Sequence, residues 1–250
     1  MIFTIAQREL KTMFVSPLAW TVLAVVEFIL AIIFLFQIES FMSIQSQLVA
    51  LESAPGVTDI VIVPVLSTAS IICLLVVPLL TMRLISEERR NKSIALLMSA
   101  PISMTEIVLG KYLGLLAFLA IMLSLIALMP LSLLAGADLD LGKFAAGMLG
   151  LFFMLGAFAA AGLYMSCVTR HPAVAAVSTF GLLLALWLIH AAGRGEGVIS
   201  QVVTYLSFLK HYQALLEGIF DSSDIVYYLL TITAFLVFSI RRLDNDRLQR

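Results

Sequence analysis

Six times along its 250 residues the chain runs through a long apolar stretch, at about 18–38, 60–84, 111–136, 143–169, 172–193 and 224–241. Charges fall only at the ends of these stretches, with Glu27 the one exception. A helix needs about 20 mostly apolar residues to cross a bilayer. Within lipid, the backbone must also satisfy its own hydrogen bonds. The pattern predicts an all-α integral membrane bundle of six transmembrane helices forming a single domain over 1–250. The sixth stretch is short, and Arg241 and Arg242 can snorkel at its end to extend it. Pro64, Pro78 and Pro130 fall near span ends, where a missing amide donor costs least.

Composition narrows the class further. The chain is 62% hydrophobic and 12% charged, with mean hydropathy +1.08. A soluble domain carries about 45–50% apolar and about 25% charged residues, and one core of this length cannot hide such an excess. An ordinary soluble enzyme, a disordered segment and a disulfide scaffold are excluded. A net charge of −1 argues against a nucleic-acid partner.

Basic residues set the orientation. With a cytoplasmic N-terminus, the inner segments hold Arg8, Lys11, Arg83, Arg89, Arg90, Lys92, Lys111, Arg170, Arg241, Arg242, Arg247 and Arg250, which is 12 of 15. Only Lys143, Arg194 and Lys210 fall outside. This asymmetry predicts that both termini are cytoplasmic. Residues 1–17 alternate apolar Ile2, Ile5, Leu10 and Phe14 with polar Gln7, Arg8, Glu9 and Lys11. That spacing predicts an amphipathic helix on the inner leaflet, with a frayed tail as the alternative. No small-residue cleavage site closes the apolar run after it, so the first span is read as retained.

No constellation for chemistry assembles. Cys73 and Cys167 are far apart and apolar in context. His171, His190 and His211 have no metal-ligand neighbours at helical or loop spacing, so no metal is expected. The run from Gly136 to Lys143 departs from a phosphate loop: five residues separate its glycines instead of four, two are acids, and Phe144 follows the lysine. The chain is therefore expected to hold no cofactor and to hydrolyse no ATP. Glu27 is a candidate intramembrane polar site, weighed against a silent or hydrogen-bonded acid. Ala146, Gly150, Ala157 and Ala161 share one helix face, and Gly110 and Gly114 repeat the small-residue spacing. Such faces pack helices inside a chain or between two copies.

The loop at 85–110 is the most informative segment. Ser86 is placed to cap a helix carrying Glu87 and Glu88 in its first turn. Ile94, Leu97 and Met98 continue it as an apolar stripe. Pro101 ends it, and Ser103 with Glu106 forms a capping box for the next helix. A charged helix, a break and a second helix entering the membrane would press on a soluble partner.

These residues resemble the ABC-2 type permeases. The matching elements are the cluster from Glu87 to Arg90, the pair Leu96-Leu97, Pro101-Ile102-Ser103 and Gly110-Lys111. The opening Arg8-Glu9-Leu10 with Ser16-Pro17-Leu18-Ala19 is similar to the gliding-motility-associated branch. The resemblance implies a permease with the layout of type V exporters in a bacterial inner membrane, paired with a second copy or a related permease. It implies a partner ATPase dimer that binds the ATP and magnesium. Under it, the helix from Glu87 to Ala100 is a coupling helix, and Glu87, Glu88, Arg89, Arg90, Leu96, Leu97 and Pro101 meet the ATPase. Arg170 and His171 form a second contact, and 198–220 becomes a re-entrant outer segment. An anchored extracytoplasmic auxiliary protein often accompanies the branch. Two readings follow: export or extraction of a substrate, or relay of ATPase-driven motion to an outer partner. An intramembrane enzyme is disfavoured, because no nucleophile, base and orienting group fall together.

Overall fold

The computed structural model describes residues 1–48, 56–91, 102–192 and 205–248. Among them the chain is helical, without strands, and six helices are long and apolar enough to cross a membrane. In chain order the helices are α1 (Ile2–Val15), α2 (Pro17–Leu48), α3 (Val63–Thr81), α4 (Ser86–Arg90), α5 (Met104–Ser132), α6 (Leu141–Val168), α7 (Pro172–Ala192), α8 (Phe208–Leu216) and α9 (Ser222–Leu248). A π-helical turn, Thr58–Ile62, leads into α3.

Several boundaries differ from the hydropathy reading. Helix α2 runs on to Leu48 instead of ending near 38, because no glycine or proline interrupts its polar continuation. Helix α9 likewise continues through Arg241 and Arg242 to Leu248. A helix does not stop where its hydropathy stops. The three prolines fall where expected: Pro64 in the first turn of α3, Pro78 and Pro130 in the last turns of α3 and α5. The expected capping box is present, with Glu106 N donating to Ser103 Oγ and Ser103 N donating to Glu106 Oε2, both at 3.1 Å. It starts α5 at Met104, ahead of the apolar stretch.

Helix α6 is the centre of the bundle. It packs against α3, α5, α7, α8 and α9, and its small residues allow this. Leu215 and Tyr212 of α8 lie so close to Gly150 that a Cβ there would stand 2.9 Å from Leu215 Cδ1. At Gly162 a Cβ would overlap Thr81 Oγ1 of α3. Ala146, Ala157 and Ala161 are buried beside them. The small face thus serves packing inside the chain.

Gly110 and Gly114 serve α1. A Cβ at Gly110 would meet Ile5 Cβ at 2.6 Å, and one at Gly114 would meet Ala6 O and Glu9 Cβ at 2.8 Å. Farther on, the rings of Phe14 and Phe118 lie 5.4 Å apart. The register shows α1 running in the same direction as α5, laid against its first turns. Helix α1 forms as expected over Ile2–Val15, but part of its apolar side meets protein: Leu10, Met13 and Phe14 pack on the core while Phe3 and Val15 stay exposed.

Side chains gather at two ends of the bundle. Glu9, Glu88, Arg89, Lys111, Ser166 and Asp246 meet at one. Thr58, Asp59, Asp140 and Lys143 meet at the other. Both ends of the chain therefore lie at the same end of the bundle.

Candidate functional site

The end that carries both termini is built around Lys111. Its ammonium lies 3.0 Å from Glu9 Oε2 and 2.8 Å from Glu88 Oε1, with only 6% of the side chain exposed. One cation thus ties α1, α4 and α5 together. A charge this deep is tolerable because two carboxylates surround it. The neighbouring Arg89 pairs with Asp246 in the last turns of α9, with Nη2 on Oδ2. A fourth tie runs to α6: Ser166 Oγ accepts from both Ile85 N and Ser86 N at 3.0 Å.

That last contact corrects an expectation. Ser86 does not cap α4; Ile85 occupies the cap position, and Ser86 donates its own hydroxyl to Met82 O. The free amides at the start of α4 are capped instead by a serine from another helix. Sequence spacing cannot reveal a cap supplied from 80 residues away.

The expected coupling residues divide accordingly. Glu88 and Arg89 are engaged within the chain, Glu87 is half-buried and Arg90 is exposed. Arg170 and His171 are exposed in the turn joining α6 to α7, and α4 touches both of those helices. Leu96, Leu97 and Pro101 lie outside the described residues, as does the helix expected there beyond Asn91. Glu27 stands apart, midway along α2, half-buried beside exposed Val25 and Phe28. Its Oε1 is buried without a hydrogen-bond partner among the described residues.

Asp246 and Ser166 are functional candidates that no sequence pattern singles out. Lys111 and Glu9 stand within the motifs Gly110-Lys111 and Arg8-Glu9-Leu10, but neither motif pairs them; Lys111 is a charge at the mouth of an apolar span, which must find a partner.

The opposite end is held by separate contacts. Asp140 caps α6, accepting from Lys143 N at 3.0 Å, and Asp140 N donates to Thr58 Oγ1 at 3.0 Å. Lys143 Nζ pairs with Asp59, so the run from Gly136 to Lys143 is a capped helix start. Of the expected re-entrant segment, the described part forms the short helix α8, with buried Phe208, His211, Tyr212, Leu215 and Leu216. His211 Nδ1 lies 2.6 Å from Asp224 Oδ1, and its Nε2 donates to Tyr205 O at 2.8 Å. The ring stacks on Tyr227 at 4.1 Å. Nearby, Ser223 N donates to Asp221 Oδ1 at 2.9 Å, holding that carboxyl below its usual range. Among the described residues no three metal-ligating side chains converge.

Six helices long and apolar enough to cross a membrane pack around a small-residue core, with a charged turn after the second. Residues 3–248 match the family model described as ABC-2 family transporter protein. The chain belongs to the ABC-2 transporter family. No curated protein matches the sequence. The family assignment makes this ABC-2 permease a multi-pass membrane protein and implies partnering with an ABC ATPase. Members are typically non-catalytic membrane subunits.

Proposed function

We propose that this permease couples ATP hydrolysis on a separate ATPase dimer to export or extraction of a substrate, through the end of the bundle centred on Lys111. One observation supports the reading most directly. The turn after the second span is tied to α1 and α5 by Lys111, to α9 by Arg89 and Asp246, and to α6 by Ser166. A push delivered beyond Arg90 would therefore reach four other helices at once. Glu87 and exposed Arg90 would begin the docking surface, Leu96, Leu97 and Pro101 would continue it, and Arg170 with His171 would form the second contact. Two copies, or one with a related permease, would share the ATPase dimer in a bacterial inner membrane. The opening Arg8-Glu9-Leu10 favours the gliding-motility-associated branch, and the same resemblance adds an anchored outer protein to the complex.

Purification in mild detergent should recover an ATP-binding-cassette ATPase with the permease. The permease stripped of that partner should show no ATP turnover; turnover by the chain alone would overturn the assignment. Sidedness is tested separately. Asp138 and Asn91 are both exposed, at opposite ends of the bundle. With cytoplasmic termini, a cysteine at Asp138 reacts with an impermeant thiol reagent in intact cells and one at Asn91 does not. The reverse pattern inverts the orientation.

A further inference from the structure

A cavity of about 310 Å³ opens between α1, the start of α2, the end of α3, α4 and the start of α5. Its walls are of two kinds. Leu18, Leu80 and Ile107 give it an apolar side, while Arg8, Arg83 and Glu87 give it a charged rim. Lys111 also borders it but is already held by Glu9 and Glu88. Arg8, Arg83 and Glu87, by contrast, make no ion pair among the described residues. Two unpaired guanidiniums beside an apolar wall, at the end of a membrane-crossing bundle, fit an amphiphile that carries phosphate.

We propose that this cavity seats the headgroup of a phospholipid with a primary ammonium, such as phosphatidylethanolamine. Guanidinium and phosphate make strong, charge-assisted hydrogen bonds, so the phosphodiester lies between Arg8 and Arg83. The ammonium lies toward Glu87, and the first methylenes of the acyl chains lie along Leu18 and Leu80. The volume is at the lower end for small-molecule sites, which suits a headgroup and not a whole lipid. Glu9, Glu87 and Glu88 border the same space and repel a free phosphate dianion. They tolerate a singly charged phosphodiester that brings its own cation. The proposal needs the chain to cross a membrane and does not depend on which partner binds the loop.

The test counts lipid on the purified permease. Wild-type protein extracted from membranes and washed in detergent should retain one phosphatidylethanolamine more per chain than the Arg8→Gln/Arg83→Gln double variant, by lipid extraction and mass spectrometry. Each lost charge-assisted contact weakens a site roughly tenfold, so the pair should weaken retention about a hundredfold. Both arginines are exposed, so the substitutions leave the packed core alone. Arg8→Lys/Arg83→Lys keeps the charge and should retain the lipid, which guards against a folding defect. Arg241→Gln/Arg242→Gln, away from the cavity, should also retain it. Equal retention by the wild type and the Arg8→Gln/Arg83→Gln variant overturns the proposal. Adding phosphatidylethanolamine to delipidated protein should raise its melting temperature, and inorganic phosphate should not. A rise with inorganic phosphate alone assigns the cavity to free phosphate and overturns the lipid. Neither measurement involves the ATPase, so failure here leaves the coupling reading standing.

Discussion

Replacing Lys111 with methionine should lower the melting temperature of the detergent-solubilised permease by about 6–12 °C. The substitution keeps an unbranched side chain one atom shorter and removes its charge, leaving Glu9 and Glu88 facing each other across the site that held the ammonium. Deleting one partner from a buried ionic cluster costs about 3–5 kcal/mol. The carboxylates retain 18% and 28% exposure, so water relieves part of that and the lower figure applies. For a domain of this size, each kcal/mol moves the midpoint by roughly 2–4 °C. Adding Glu9→Gln and Glu88→Gln to Lys111→Met removes the two charges that faced the ammonium and should restore most of the lost stability. It should not restore coupling, because α4 is then no longer tied electrostatically to α1 and α5. Stimulation of the partner ATPase by substrate or by the permease itself is the second readout. If Lys111→Met melts at the wild-type temperature, the cluster is not a structural hub.

The second large effect is expected at Leu97. The apolar stripe of Ile94, Leu97 and Met98 belongs to the segment proposed to enter the ATPase. An aspartate in a desolvated contact is an unpaired buried charge, and losing a well-packed anchor costs more than about 2 kcal/mol at an interface. That is roughly a thirtyfold fall in affinity. Leu97→Asp should reach the membrane at normal levels and lose the ATPase during detergent purification. Undiminished co-purification would remove this segment from the docking surface and shift attention to the exposed Arg170 turn.

What sequence reasoning reached, and what it missed, follows from the range of the physics involved. Spans are local: about 20 apolar residues announce themselves, and all six were legible. The Ser103 and Glu106 capping box was legible for the same reason, since its partners are three residues apart. The small face of α6 was visible as a pattern, but only packing identifies Thr81, Tyr212 and Leu215 as its partners. Contacts between distant segments were invisible. Arg89 finds Asp246 across 157 positions, and Ser166 caps a helix 80 positions away. Nothing adjacent to His211 in sequence marks Asp224 and the surrounding tyrosines as its enclosure. The α1 helix was recognised by its periodicity, yet periodicity shows that a helix has an apolar side without saying what covers it.

The seating of α1 has a mechanical consequence. Gly110 and Gly114 admit it so closely, and Glu9 binds Lys111 so directly, that α1 and α5 must tilt as one body. With 14 residues and a rise of 1.5 Å each, α1 is about 21 Å long. Its outward side carries exposed Phe3 and Val15, so its surroundings must yield whenever α5 rotates. Under the coupling proposed above, that yielding would be a drag on the conformational cycle, taking up part of the free energy that the ATPase supplies.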